Sequence, residues 1–590
     1  MKYQLKKPLL PILPNYTVID QIFAIRGLNP LDSYHLLHTT DEDIIDPLQL
    51  DNMKEGASML IKHIANEDDM MVIVDSDADG MTSAACLINY LYKLFPSYVI
   101  NHITYKMHEG KQHGINDWLD TILNENKIKI LVVPDAGSND YEAHRKLKEN
   151  GIDVLIIDHH EADHVSEDAC VINNQLCDYP TKSLSGVGVV YKFCCYIDSL
   201  LNKDFANDFL DLVAVGLIGD VMSMKDFETR HLVNKGLANI KNPFIAQMVE
   251  TQNYSITRGG GLNPFTVAFY IVPQINGTIR MGETKDKMLL FESMLDYKGW
   301  ERIPSTKRGC AGQLEPRAEQ ACRTCSNIKR AQGNEVDKAC AIIDKIIEDK
   351  ELLDNKIIAV KLDKAHSINR NLTGLVANKA MSKYKHPILI LSENDETQTW
   401  DGSGRGYETA EFNDLRSFLQ DSQLVALAEG HANACGVSIS FDNFDKLIDY
   451  ANSKLATCNF DPCYKVDFIW HANDFTSQDI IKIAEHNSIW GQGVEEPLIA
   501  IEHIHVTNDM VTLMSPDKNP TLKITLPNGT SLIKFKSSKD EVDSLCSDSP
   551  AGSVEINIVG KCKINEWNGT ISAQIEVQEY EITGLTKYLF

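Results

Sequence analysis

Between residues 56 and 245 the chain alternates short apolar, β-branched runs with longer stretches of helical spacing. MMVIVD (70–75) leads into TSAACLINYLYKLF, KILVVPD (129–135) leads into DYEAHRKLKENG, and DVLIID (153–158) forms a third run. Strand-like runs alternating with helix-like segments predict βαβ units and a parallel sheet. Gly80 and Gly137 stand where the chain must turn tightly from strand to helix. A second α/β pattern starts near Lys356 with KIIAVKL, the helix-like TGLVANKAMSKYK and HPILILS, then runs through DGSGRGYE (401–408) and AEGHANACGVSIS (428–440). Beyond residue 497 short alternating strands dominate, from LIAIEHIHV to TISAQIEVQEYEI, with hairpin signals at Asn528-Gly529 and Asn568-Gly569. A small five-stranded barrel is the expectation there.

This pattern divides the chain into a Pro-containing lead-in (1–55), a parallel-sheet domain (56–245) and a linker region (246–350). A second α/β domain (351–480) and an all-β barrel (481–590) follow. The linker ends in a charge-rich segment, Glu315 to Lys350, that reads as a connecting helix. The opening MKYQLKKPLLPILPNY mimics a signal peptide, but Pro8, Pro11 and Pro14 break its apolar run and no small-residue cleavage site follows. No apolar stretch approaches the roughly 18 residues of a membrane span. The segment is read as an N-terminal arm and the chain as cytoplasmic.

Composition adds two points. The 14 cysteines do not suggest a secreted disulfide framework in a chain of 590 residues. Cys322 and Cys325 form a C-x-x-C that is either half of a zinc site or a packed helix face. The net charge of −26 argues against a broad non-specific nucleic-acid coat, because phosphate contacts need Lys and Arg. A narrow channel ending at metal ions is compatible with it, since such a centre collects carboxylates and presents positive charge once loaded.

The chemistry sits at the ends of the apolar runs. VDSDADG (74–80), VVPDAG (132–137), LIIDHHEAD (155–163) and AVGLIGDV (214–221) each place a carboxylate or imidazole just past a stretch that reads as a strand. In an open α/β sheet that edge binds ligands. Asp75, Asp77 and Asp79 alternate, so a continued strand would point all three the same way. With Asp135, His159 and Asp220 they form an oxygen-rich set with one imidazole, which suits manganese or magnesium better than zinc. The set exceeds what one ion with open positions can use, so a two-metal centre hydrolysing a phosphoester is expected.

These motifs, DSDADG, PDAG, DHH and the later Gly-Asp, resemble the motif set of the DHH phosphoesterase superfamily. LSGVGVVYKF (184–193) and IVPQINGTIRMG (271–282) resemble further segments of its RecJ-type exonucleases. GLVANKAMSKYKHPILIL and GHANACGVSI resemble the associated DHHA1 domain, and WGQGVEEPLIAIEHIHV (490–506) resembles the entry into the RecJ OB-fold. The resemblance implies a parallel-sheet DHH domain linked by a helix to an α/β DHHA1 domain, followed by a small OB-type barrel. It implies Asp77, Asp79, Asp135, His159 and Asp220 as metal ligands, Asp135 bridging two divalent cations, with manganese favoured and magnesium possible. Asp75 occupies an extra position in the first motif and is expected at the metal site as a residue that orients ligands, while the resemblance implies Asp158 as the group fixing the DHH imidazoles and His160 as the group facing the scissile phosphate.

Substrate contacts are expected at Arg280, at a short loop formed by Ser403, Gly404 and Arg405, and at His431. The segment His108 to Asn116 places Lys111, Gln112 and His113 where the family has arginine and an aromatic, and SINRNLTG after His366 is longer than the family's turn. The implied activity is a 5′-to-3′ exonuclease of single-stranded DNA that releases mononucleotides and stacks bases on barrel aromatics. A monomer is expected, with a single-strand-binding protein or helicase as partners by family. A phosphodiesterase of short oligonucleotides or cyclic dinucleotides is the alternative, and an inactive replication scaffold a second.

Overall fold

The computed structural model describes residues 1–586 except 111, 126, 311, 364, 365, 367, 410, 462, 516–518, 547–552 and 568. Lys111 and Asn568, both singled out above, therefore lie outside the described residues. The chain forms two compact units, residues 9–329 with 485–496, and residues 1–8 with 330–484 and 497–590.

The first unit is built on five strands, β1 (Asp69–Val74), β2 (Ile103–Met107), β3 (Ile128–Pro134), β4 (Asp153–Asp158) and β5 (Cys170–Asn173). All pair in parallel in the order β2-β1-β3-β4-β5. Met70, Val72 and Val74 of β1 enter one apolar core while Met71 and Ile73 enter another. Both faces of the sheet are thus covered, which is why its strands read as continuous apolar runs. Helices α1 (Ala78–Leu94), α2 (Gly186–Leu201) and α3 (Leu210–Gly219) fill the larger core.

One expectation changes in this unit. AVGLIGDV is helical, not a strand: α3 is buried from Leu210 to Ile218, packed against α1, α2 and the helix Phe227–Ala238. A helix enclosed on every side shows no 3.6-residue polar period, so its β-branched composition imitates a buried strand. The stretch from 246 to 310, punctuated by Gly and Pro, is mainly short helices, among them α4 (Val272–Met281), which a π-helical turn at Val267–Ile271 precedes.

Helix α5 (Arg317–Asp349), of 33 residues, matches the expected connecting helix. Cys322 and Cys325 lie buried on it in the first unit's core, and the Cys322 thiol faces the Phe244 carbonyl. Among the described residues no cysteine joins a group of three or more metal-type donors, and both thiols pack on the buried face of the helix.

In the second unit, β6 (Ile358–Leu362), β7 (Ile388–Asn394), β8 (Thr399–Arg405), β9 (Leu427–His431) and β10 (Ala434–Ser440) form a sheet ordered β9-β10-β8-β7-β6. Only β6 and β7 run parallel, and helix α6 (Thr373–Tyr384) packs over β7 and β8.

The all-β part exceeds the expected five strands. It comprises β11 (Phe468–His471), β12 (Ile499–Thr507), β13 (Val511–Met514), β14 (Thr521–Thr525), β15 (Ser531–Phe535), β16 (Ser553–Trp567) and β17 (Thr570–Thr586). They form one sheet in the order β11-β12-β16-β17-β15-β14-β13. SVEINIV (553–559) and KCKINEW (561–567), which the sequence pattern alone divides into two short strands at Gly560, are halves of β16, whose pairing with β17 shifts register at Val559/Gly560. A bulge bends a long strand without ending it, so a glycine there imitates a turn. Residues Lys2–Leu5 pair in parallel with Cys463–Val466 in the same unit.

Candidate metal centre

In a sheet ordered 2-1-3-4-5 the crevice opens where the winding reverses, outside the carboxyl ends of β1 and β3. Asp75 follows β1, Asp135 follows β3, and Asp158 and His159 close β4. Strand β1 stops at Val74, so Asp75, Asp77 and Asp79 are not aligned by a common strand as expected. Asp77 is the N-cap of α1 and accepts a hydrogen bond from the Gly80 amide at 2.9 Å, while Asp79 sits in the helix's first turn. Helix initiation, by folding the chain back on itself, brings the three together. A Cβ on Gly80 would lie 2.5 Å from the Asp75 Cβ, so only glycine permits that approach.

Asp135 is almost wholly buried and adopts φ +68°, a left-handed conformation that aspartate tolerates better than most residues. Its amide donates to the Ile157 carbonyl at 2.8 Å, which anchors the turn to β4. Asp79 Oδ1 accepts from Ser185 Oγ at 2.8 Å and from the Val187 amide at 3.3 Å at the start of α2. Asp220 follows the last residue of α3.

These elements bring six of the expected residues together. His159 Nε2 stands 3.3 Å from Asp135 Oδ1, 3.3 Å from Asp220 Oδ2 and 4.0 Å from Asp79 Oδ2. Two groups of donor atoms result, Asp79 with His159 and Asp220, and Asp75 with Asp77 and Asp135, each within 4.8 Å. Asp135 thus reaches both. Asp75 belongs to the second group through one part of its carboxylate, and its Oδ2 accepts from His113 Nδ1 at 2.6 Å.

Four buried atoms here, Asp75 Oδ1, Asp79 Oδ2, Asp135 Oδ1 and His159 Nε2, have no hydrogen-bond partner. Such atoms cost free energy unless something polar satisfies them. The electrostatics agree. Burial and then the Asp79 charge push Asp77 up to about 6 and Asp135 well above the usual carboxylate range. The same two causes push Asp220 up to about 8. Burial lowers His159, keeping the imidazole neutral and able to donate a lone pair. Carboxylates crowded in this way stay ionised only with positive charge among them. The donor set fits divalent cations, oxygen ligands with one imidazole.

His160 is placed differently. Its Nδ1 donates to Asp158 Oδ1 at 2.8 Å, and that oxygen also accepts the amides of His159 at 2.7 Å and His160 at 3.2 Å. Asp158 Oδ2 accepts the Ser138 amide at 3.1 Å. Burial works against the Asp158 charge, yet the His160 hydrogen bond and charge, with Ser138, hold the carboxyl down at about 2. The Asp158 hydrogen bond in turn pushes His160 up to about 9, against its burial. His160 is therefore a half-exposed imidazolium near neutral pH.

The remaining residues separate by unit. Arg280, on α4, lies in the field of Asp77, while burial lowers its pKa. Ser403, Gly404 and Arg405 are not a loop: all three lie in β8, paired to β7 on one side and β10 on the other. Their backbone amides therefore belong to the sheet, and only side chains remain for a ligand. Ser403 Oγ lies 2.9 Å from Thr373 Oγ1, and a Cβ on Gly374 would meet the Arg405 guanidinium at 2.6 Å, which puts both side chains over the first turn of α6. His431 ends β9 and is exposed. Base-stacking aromatics on the last sheet are sparse. Phe468, Trp470 and Phe475 stack on one another, and Phe535 is the large aromatic most exposed on its described strands.

Two supporting residues escaped the sequence reading. Ser185 could have been found, since it lies inside LSGVG. Lys287 could not: it is a buried lysine whose Nζ donates to the carbonyls of His108 and Glu109, pinning the segment that carries His113.

Residues 69–217 match the DHH family, N-terminal domain, and residues 466–579 match the RecJ OB domain. YorK, an SPbeta prophage-derived protein of Bacillus subtilis (strain 168) named as a single-strand DNA-specific exonuclease, is 35% identical over 574 residues, 96% of each chain. The single-stranded-DNA-specific exonuclease RecJ of the same bacterium is 25% identical over 577 residues, 96% of this chain and 68% of RecJ. A crystal structure of Thermus thermophilus RecJ in complex with Mn2+ superposes with a TM-score of 0.70 at 18% identity, covering 98% of this chain and 79% of that one. The chain belongs to the RecJ-like DHH exonuclease family.

Proposed function

We propose that this chain is a divalent-metal-dependent exonuclease of single-stranded DNA that works from the 5′ end and releases mononucleotides. The observation that carries the reading is the convergence of four buried, unpartnered ligand atoms at the switch point of the parallel sheet. The names borne by YorK and RecJ support the substrate, and the OB-domain match supports a polymer over a cyclic dinucleotide.

In this reading Asp79, His159 and Asp220 hold one cation, Asp75 and Asp77 hold a second, and Asp135 serves both. Manganese or magnesium bound there supplies Lewis acidity to the phosphoryl oxygen and acidity to coordinated water. The protein's own groups do the rest. Asp158 fixes the amides and ring of the DHH turn, so that His159 meets the carboxylates and His160 faces outward. The His160 imidazolium neutralises charge on the phosphate or gives a proton to the leaving oxygen. Arg280 and His113 line the approach to Asp77 and Asp75. Ser403 and Arg405, with the first turn of a 12-residue helix, suit a terminal phosphate, and His431 extends that face. Polarity rests on the family.

Digestion of long single strands labelled at the 5′ or the 3′ end, with Mn2+ and with Mg2+, tests this. Labelled mononucleotide should appear first from the 5′ end. Early release from the 3′ end would overturn the polarity, and equal rates on dinucleotides and long strands would favour the small-substrate alternative.

A further inference from the structure

The last sheet carries a second convergence of imidazoles and carboxylates, separate in chain and chemistry from the centre above. His471 ends β11, Glu502, His503 and His505 lie on β12, and Glu555 lies on β16. One donor atom from each of His471, Glu502 and His503 lies within 4.8 Å of the others. The two imidazoles stack with centroids 5.5 Å apart, and His471 Nδ1 stands 3.8 Å from Glu502 Oε2.

The backbone departs from a regular strand to make this possible. Adjacent residues of a strand face opposite ways. Here Glu502 and His503 together oppose the single residue Asn557, because the register shifts between Ile501 and Ile504. His503 takes φ +55°, and its amide is held by Asn557 Oδ1 at 3.0 Å. The bulge brings a carboxylate and the next residue's imidazole to one patch. Two of the three side chains are also oriented. His503 Nδ1 pairs with Glu555 Oε1 at 2.9 Å, which leaves Nε2 for a ligand, and Tyr3 donates to Glu502 Oε1 at 2.6 Å. A carboxylate behind one ring nitrogen is how proteins set a histidine to bind metal through the other.

We propose that this patch is a second cation site, with His471 and His503 as imidazole ligands, Glu502 as the carboxylate ligand and Glu555 as the residue positioning His503. Two imidazoles and one carboxylate suit a nitrogen-preferring transition ion, zinc foremost, whereas the oxygen-rich centre suits manganese or magnesium. The site does not depend on the nuclease reading.

Equilibrium dialysis of the intact chain against Zn2+ tests it. His471→Ala/His503→Ala should bind one equivalent fewer than wild type. Glu555→Gln should keep that equivalent but hold it about tenfold more weakly. Zinc taken up by the oxygen-rich centre is common to all three proteins and cancels. Circular dichroism in chelator reports whether the double variant folds. Equal stoichiometry and affinity in wild type and a folded double variant overturns the site. If the double variant does not fold, an unchanged affinity in Glu555→Gln overturns it instead.

Discussion

Replacing Asp158 with asparagine should move the alkaline limit of activity. In the folded chain the Asp158 hydrogen bond holds His160 up at about 9, against an ordinary value of 6.5. If the imidazolium is the working form, its contribution is complete well below pH 9 and disappears as pH rises through that value. The replacement amide carries no charge, so His160 falls back toward its ordinary value. At pH 7.5 the protonated fraction then drops from about 97% to about 9%, roughly a tenfold loss of imidazolium. The amide also cannot accept on both sides, because the amides of His159 and His160 point at one oxygen and that of Ser138 at the other. One buried donor then meets a donor, at a stability cost of about 1–3 kcal/mol. The assay is kcat/KM on a long single strand between pH 6 and 10 with saturating Mg2+, with thermal melting alongside. The alkaline limb should move down by about 2.5 pH units. A limb that stays in place, with the variant folded, would refute the assignment of His160 as the group whose protonation matters.

Other outcomes follow from the same geometry. Asp135→Asn keeps a side chain at ease with φ +68° but removes the charge that serves both ligand groups; activity should fall at least about a hundredfold with the melting temperature retained. Loss of activity matched by loss of folding would not fit. Gly186→Ala should favour the helix by propensity yet damage the centre, because the added Cβ collides with Asp135; metal titration should show weakened binding in a chain that still melts cooperatively. Metal should stabilise the chain more at pH 8 than at pH 5.5. Asp77 and Asp220 have folded values raised to about 6 and about 8, so the metal-free fold loses stability as pH rises from about 4 to 8, and protons compete with cations below that. An increment in melting temperature on adding Mn2+ that is the same at both pH values would count against the crowded-carboxylate account.

Much of the centre was legible because its residues stand next to strand ends, and strand ends are visible in composition. Asp75, Asp135, Asp158 and His159 each follow a run whose residues are buried on both faces, so the run and its terminus could be read together. Asp220 reads from the sequence as a strand-end residue, whereas it follows a helix. Its helix is enclosed by others, and enclosure erases the period that separates helix from strand. Ser403 and Arg405 were misread for a related reason: DGSGRG has the composition of a loop, but glycines at 402 and 404 are what let β8 lie flat between two neighbours. A Cβ on Gly402 would run into the Ile390 carbonyl, and one on Gly404 would crowd Cys435. The long strand β16 was split in two because its bulge glycine, Gly560, resembles a turn.

The amino-acid order by itself determined which strands are buried on both faces, where the chain must turn, and which carboxylates follow each apolar run. Those are consequences of neighbours along the chain, and local sterics and hydrophobic burial suffice for them. Only the tertiary structure decided that Asp75, Asp77 and Asp79 converge through the start of a helix, that Asp135 reaches both donor groups, and that Asp158 turns one histidine of the DHH pair into a cation while burial keeps the other neutral. Each of these depends on distances of about 3 Å, whether between near neighbours such as Asp158 and His160 or across the chain as between His159 and Asp220, and electrostatic energies change steeply with position at that range. Sequence spacing carries no such distances, and chain folding creates them.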